Sequence, residues 1–301
     1  MAKLTSFLLI AFFQFLSWWP ISWLRAVAKP FGSLLMRLKS RSRDATVENL
    51  AICFPEQTEQ QRAALAKQSL QHLAMTALEL GPVWSLPIAR LFRSIAKVSG
   101  EEVLQAAVAE GKGFILLAPH IGSWELLGLY MGENYPFTSL YQPPDNPAMH
   151  AVIVKARSRS SSNVAPTNTK GVKILLQALK RGEGIGILPD QVPPAEGGGF
   201  APFFGVPALT TTLVTNLARR TGAQVVIGSA LRIAGTGKFD IIFEAVPESI
   251  RSDDMTLALT TLNQCVERCV MQAPEQYQWE YKRFKKQPGG ERKYYRNHSS
   301  E

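Results

Sequence analysis

Five short apolar runs constrain this chain more than any other feature. GFILLAP (113–119), TSLY (138–141), GIGILP (184–189), AQVVIGSAL (223–231) and FDIIFEAV (239–246) are rich in branched residues and bounded by turn formers, as buried strands are. Helical patterning fills 101–110, 171–181, 210–221 and 255–271. Thr58 and Gln61 read as a capping box opening a further helix through Leu80, with Leu70, Leu73, Ala74, Ala77 and Leu78 on one face. Strands alternating with helices predict an α/β fold, an open, mostly parallel or mixed sheet flanked by helices, with no internal repeat. In such sheets ligands gather beyond the carboxyl ends of strands, which directs attention to His120 and Asp190.

A chain of 301 residues with 46% hydrophobic content can bury a full core. Its formal charge of +9 favours an acidic partner, whether nucleic acid, an anionic membrane or an acidic protein or substrate. No nucleic-acid module is recognisable, so no nucleic-acid partner is expected. The three cysteines, Cys53, Cys265 and Cys269, are an odd number without ligand spacing, which favours a reducing compartment over a disulfide framework and gives no metal site.

Residues 5–24, TSFLLIAFFQFLSWWPISWL, carry no charge and are long enough to cross a hydrocarbon core. Trp18, Trp19 and Trp23 suit an interfacial belt, and Arg25, Lys29, Arg37, Lys39, Arg41 and Arg43 follow. That bias keeps the remainder cytoplasmic. The division expected is 1–40 as a membrane anchor with a basic flank and 41–301 as the main domain. The chief alternative is a helix lying in the membrane plane, because apolar and basic residues from Trp23 to Lys39 recur at helical intervals.

In PHIGSWELLGLY (119–130), Gly122-Ser123 makes a turn before helix-forming residues. Ser123 is the expected N-cap, and Glu125 falls in the first helical turn, where the dipole favours its ionised form. With His120 in the preceding loop, Glu125 is expected to turn back onto one ring nitrogen, fixing the tautomer and leaving the other nitrogen to accept a proton from a hydroxyl. A histidine satisfied by a helix-start carboxylate, with no chemistry, remains the competing reading.

The strings VENLAICFPE (47–56), APHIGSWE (118–125), LYQPPDNP (140–147), GILPDQ (186–191), FAPFFGVPALTTT (200–212) and PEQYQWEYKRFKKQP (274–288) resemble, in that order, the late acyltransferases of lipid A biosynthesis. These belong to the wider glycerolipid and lysophospholipid acyltransferase group. The resemblance covers nearly everything from about residue 40. It implies an acyltransferase domain at 41–301 that moves a fatty acyl chain from acyl carrier protein to a hydroxyl of a lipid A precursor at the bacterial inner membrane, without a cofactor. It also implies His120 as general base and Glu125 as its orienting partner, through the family's HxxxxE motif. A lysophospholipid or other membrane-lipid acceptor is the alternative within the same chemistry, and a basic membrane-bound protein without catalysis is the alternative outside it.

Arg157 and Arg159, in the polar KARSRSSSN, which is expected to be irregular, suit a phosphate group, and the family carries one site arginine in this region. Asp190, after a buried strand, is a candidate for binding substrate or supporting the site, against the reading of a turn cap. Gly197 to Gly199 would lead flexibly into Phe200, Phe203 and Phe204, candidate linings for an acyl groove. Thr210 to Thr212 precede a helix whose N–H groups suit an anion. Lys282, Arg283, Lys285, Lys286, Arg292, Lys293 and Arg296 offer a docking surface for an acidic carrier protein or anionic head groups. The chain departs from the family's WxHRRFK with Tyr281 at the histidine position, which bears on substrate details. His72, His150 and His298 read as surface residues.

Overall fold

The computed structural model describes residues 2–295 apart from 145, 158 and 292, and the side chains of 2–4 and 6 lie outside the description. Arg292, Arg296 and His298 therefore lie outside the described residues. In chain order the elements are α1 (Ala2–Ser17), α2 (Ile21–Arg37), α3 (Arg41–Cys53), α4 (Glu59–Ser85), α5 (Ile88–Leu91), β1 (Ile95–Ser99), α6 (Glu101–Ala109), β2 (Phe114–Leu117), α7 (Trp124–Asn134) and β3 (Phe137–Tyr141). They continue as α8 (Pro147–Arg157), β4 (Asn163–Pro166), α9 (Thr169–Lys180), β5 (Gly184–Ile187), β6 (Gly198–Phe203), β7 (Val206–Thr211), α10 (Leu213–Thr221), β8 (Gln224–Arg232), β9 (Phe239–Ala245) and α11 (Met255–Gln272).

Seven strands form one sheet in the order β1-β9-β8-β2-β5-β3-β4, parallel throughout except for the β8–β9 pair. The five apolar runs are β2, β3, β5, β8 and β9. Alternation of side chains across the pleat divides the core in two. Ile115, Leu117, Ile185, Ile187, Val225 and Ile227 belong to one cluster with residues of α9, α10 and α11. Phe114, Leu116, Ala118, Phe137, Ile241 and Phe243 belong to the other with residues of α6 and α7. The sequence GIGI in β5 follows from this arrangement. Its isoleucines fill the first face, while Gly186 leaves the second open to the Phe137 ring, which would lie 2.7 Å from an added Cβ. Adjacent β2 and β5 both end beneath the loops carrying His120 and Asp190.

Several elements differ from expectation. The capping box at Thr58 is formed, but α4 continues past Leu80 to Ser85. The segment around Phe200 is a separate antiparallel hairpin, β6–β7, turned by Phe204 and Gly205 at positive φ. Pro202 pairs with Pro207 there, and because neither offers a ladder N–H the strand signal was masked. Consequently α10 begins at Leu213 rather than 210. The stretch before Ser158 is not irregular, since α8 extends through Arg157.

The uncharged amino-terminal run is not one long helix. It breaks around Pro20, and no single described helix is long and apolar enough to cross a membrane; α1 and α2 meet at a bend of 112°. Both pack along α4, burying Phe13, Leu16, Leu24 and Ala28. Proline at residue 20 removes a helix-continuing N–H, which favours the break.

Candidate active site

The His120 loop is held by its backbone. Ala118 N–H donates to Ile187 O (3.0 Å), Gly122 N–H to Gln276 O (3.1 Å), Ser123 N–H to Ala230 O (2.8 Å), and Gln278 N–H to His120 O (3.0 Å). Gly122 has φ +60°, and a Cβ there would lie 2.1 Å from Ala230 O, so this turn admits only glycine without displacement. The carboxyl-terminal string PEQYQW thereby braces the loop. Gln276 also exchanges two hydrogen bonds with the Arg232 backbone, at 2.8 and 3.0 Å.

Within this frame His120 Nδ1 lies 2.8 Å from Asp190 Oδ1, while the His120 backbone N–H donates to Asp190 Oδ2, also at 2.8 Å. An ionised carboxylate only accepts, so Nδ1 carries the proton and Nε2 is the basic nitrogen. The Gln191 amide donates to Nε2 at 3.2 Å, consistent with that tautomer. Burial opposes ionisation of Asp190, but the His120 ring and the two hydrogen bonds from His120 outweigh it and hold the carboxyl below its ordinary range. Trp124 meets the imidazole edge-on at 5.2 Å. The His120 side chain keeps 13% exposure against 2% for Asp190, so the histidine is the reachable member.

The expected contact between His120 and Glu125 is not made. Glu125 does stand in the first turn of α7, although Ser123 makes no side-chain cap bond there. Its carboxylate accepts instead from Arg157 Nη2 (2.5 Å), Arg157 Nε (3.3 Å) and Trp84 Nε1 (3.1 Å). The reason is geometric. Once the loop has turned at Gly122, Glu125 belongs to α7, where buried Trp84 and half-buried Arg157 donate to it, whereas Asp190 lies beside His120 after the neighbouring strand end. Burial would lower the Arg157 pKa, yet Glu125 beside it raises it above the usual value. Arg157 also sits 4.9 Å over the Tyr141 ring, which stacks on His150.

The two arginines separate clearly. Arg157 lies at the cleft, whereas Arg159 donates to the Leu86 and Val83 carbonyls and to Ala156 O, closing the carboxyl end of α4, and its burial lowers its pKa. An apolar slot of about 40 Å³ opens beside Glu125 and Arg157 and runs down the sheet past Ala118, Gly128 and Gly186 to Phe137. Gly128, on the α7 face toward it, has open space where a Cβ would be. Phe200, Phe203 and Phe204 do not line this slot. Phe203 is buried against Phe284, and Phe204 packs on Phe54 and Trp279.

Thr210 is fully buried in a network with Asn263 and Arg283, and Thr211 accepts from Leu213 N–H, so these hydroxyls are engaged by the protein itself. Arg283 is likewise buried, donating to Leu209 O, while Lys285 and Lys286 are exposed. Tyr281, at the position of the family histidine, accepts from Val192 N–H (2.9 Å) and anchors the loop that carries Asp190 and Gln191. Glu280 had no sequence signal as a site residue. Burial pushes its carboxyl up to about 7, against opposing pulls from Gln278 and the His120 ring. His72 and His150 are both partly covered, and His150 bonds Tyr141.

The family model for bacterial lipid A biosynthesis acyltransferase matches residues 1–286. The chain is 32% identical to the lipid A biosynthesis palmitoleoyltransferase of Escherichia coli (strain K12) over 271 residues, covering 90% of this chain and 85% of that one. It is 32% identical over 260 residues to the lauroyltransferase of the same organism (86% and 84% covered), and 26% identical over 269 residues to its myristoyltransferase (86% and 80%).

Proposed function

Because this chain belongs to the bacterial lipid A biosynthesis acyltransferases and is therefore an acyltransferase, we propose that it moves a fatty acyl group from acyl carrier protein to a hydroxyl of a lipid A precursor, with His120 as general base. The observation that carries this reading is the His120–Asp190 pair: a buried carboxylate on Nδ1, and a histidine side chain that keeps 13% exposure with Nε2 as its basic nitrogen. The acceptor hydroxyl replaces the Gln191 amide at Nε2 and gives up its proton as its oxygen attacks the thioester carbonyl. Asp190 stabilises the imidazolium that forms. Collapse of the tetrahedral adduct breaks the C–S bond, and the imidazolium returns the proton to the departing thiolate. Proton transfer of this kind contributes about 10² to 10⁴ in rate.

Glu125 is assigned a different role from the one its motif suggests. It holds the Arg157 guanidinium at the cleft, where a phosphorylated acceptor meets a planar, charge-assisted donor. The apolar slot beneath the pair gives the acyl chain its nearest recess. Exposed Lys285 and Lys286, following Tyr281 at the site's edge, supply positive charge for an acidic carrier protein. The basic and apolar amino-terminal segment supports attachment to the inner membrane, with the catalytic domain on the cytoplasmic side.

His120→Ala is expected to lower acyl transfer from acyl carrier protein by at least about 10³-fold while circular dichroism and thermal unfolding stay unchanged. A folded, fully active variant refutes the general-base role. Parallel assays with a lipid A precursor and a lysophospholipid identify the acceptor from the product formed.

A further inference from the structure

Eleven of the eighteen large hydrophobic side chains exposed among the described residues fall within α1, α2 and their junctions, from Phe7 to Leu38. The faces are continuous. Along α2 and its two flanks, Trp19, Trp23, Val27, Phe31, Leu34 and Leu38 recur at helical spacing and are all exposed, with Trp23 at 61%. At the bend, Phe15, Trp18, Trp19 and Trp23 make one aromatic group, with centroid separations of 6.0 to 6.2 Å. A surface of this extent is far beyond scattered exposed residues and requires a cover.

The opposite faces are not free to leave the domain. Gly32 rests so closely on α4 that a Cβ would lie 2.3 Å from the Gln71 Cα. Arg25 is buried, bonds Glu79 at 2.6 Å, and donates to the Thr236 and Lys238 carbonyls, while Arg232 holds Glu79 from β8 at 2.9 Å. Withdrawing α2 into hydrocarbon would break this buried network. The charge around the apolar face is one-sided, since residues 1–43 hold no Asp or Glu. Lys29, Arg37, Lys39 and Arg41 are all exposed there. An apolar face flanked by cations complements an anionic lipid interface.

We propose that α1 and α2 lie in the plane of an anionic bilayer leaflet as a bent, non-spanning docking face, and that this seating sets the active site at head-group level. The link to the site is short. Phe13 of α1 packs edge-on against Trp84 at 5.0 Å, and Trp84 donates to Glu125. A lipid acceptor thus enters from the leaflet beside the helices that hold the enzyme on it. The inference rests on the proposed action on a membrane lipid.

Two measurements test it on the full chain. In sedimentation with phosphatidylethanolamine–phosphatidylglycerol vesicles, the combined change F15S, W19S, W23S and F31S is expected to weaken binding at least about tenfold relative to the unaltered chain, with turnover in detergent micelles retained. Binding equal to the unaltered chain contradicts the docking face. In sealed vesicles an impermeant maleimide is expected to label Thr5→Cys from the same side as Lys286→Cys, the three native cysteines being buried. Labelling from opposite sides establishes a spanning segment and overturns the proposal. Failure of the catalytic reading appears separately, as an active His120→Ala enzyme in micelles.

Discussion

Two acidic residues stand near the carboxyl ends of the central strands and do different work. Asp190 is almost wholly covered, takes both the ring and the backbone N–H of His120, and stands on the neighbouring strand end. Glu125 is five residues from His120 in sequence, yet it is held by Arg157 and Trp84 on the other side. The difference teaches that a carboxylate's proximity in the chain says less about its partner than which strand end or helix start presents it. A turn as sharp as Gly122 divides what the motif joins.

The sharpest way to break this contrast is to remove each carboxylate in turn. Asp190→Asn retains the shape but loses the acceptor for Nδ1–H, so kcat is expected to fall about 10³-fold or more. Glu125→Gln is expected to cost less, about 10²-fold, and to act mainly on KM for a phosphorylated acceptor, as measured by steady-state kinetics. Equal losses in kcat with unchanged KM would contradict the division of roles.

Next in size is the contrast between neighbouring arginines. Arg157→Lys is expected to raise KM about tenfold with little change in melting temperature, because a point charge cannot reproduce the bidentate fork. Arg159→Ala is expected to leave KM alone and to destabilise the fold by about 1 to 2 kcal/mol through loss of bonds to the α4 carbonyls, read by urea unfolding. The opposite pattern would place Arg159 at the substrate.

A smaller effect sits under α2. Burial, reinforced by the charges of Arg232, Arg25 and Lys29, lowers the His72 pKa to about 3. The unfolded chain binds that proton near its ordinary pKa of 6.5, so the unfolded state holds more protons between these values. Stability is therefore full above pH 6.5 and declines as pH falls. Between pH 7 and pH 5 the contribution lost is about 1 to 2 kcal/mol, and His72→Gln is expected to remove that part of the slope in urea titrations. An unchanged slope contradicts a neutral, covered His72.

Much of the architecture was legible because it is written locally. Branched runs such as FILL and VVIGSAL mark strands wherever they lie, and strand-end placement singled out both His120 and Asp190 before any contact was known. Their pairing was not legible. Seventy residues separate them, and only the adjacency of β2 and β5, which skips β3, brings them together. The β6–β7 hairpin was hidden by its prolines, and the choice between Arg157 and Arg159 depended on where α8 stops. At the amino terminus, composition announced an apolar segment, but Pro20 and the packing on α4 decided its bent form. Glu280 and Tyr281 occupy site positions through the brace of 276–278, a tertiary contact that no local pattern encodes.

The central claim is that Asp190, rather than Glu125, orients the catalytic imidazole. Proton NMR of the protein labelled with ¹⁵N-histidine reads the His120 Nδ1–H directly. A downfield, exchange-protected resonance is expected in the unaltered enzyme and in Glu125→Gln, and its loss is expected in Asp190→Asn. A resonance that survives Asp190→Asn and disappears in Glu125→Gln would contradict the account.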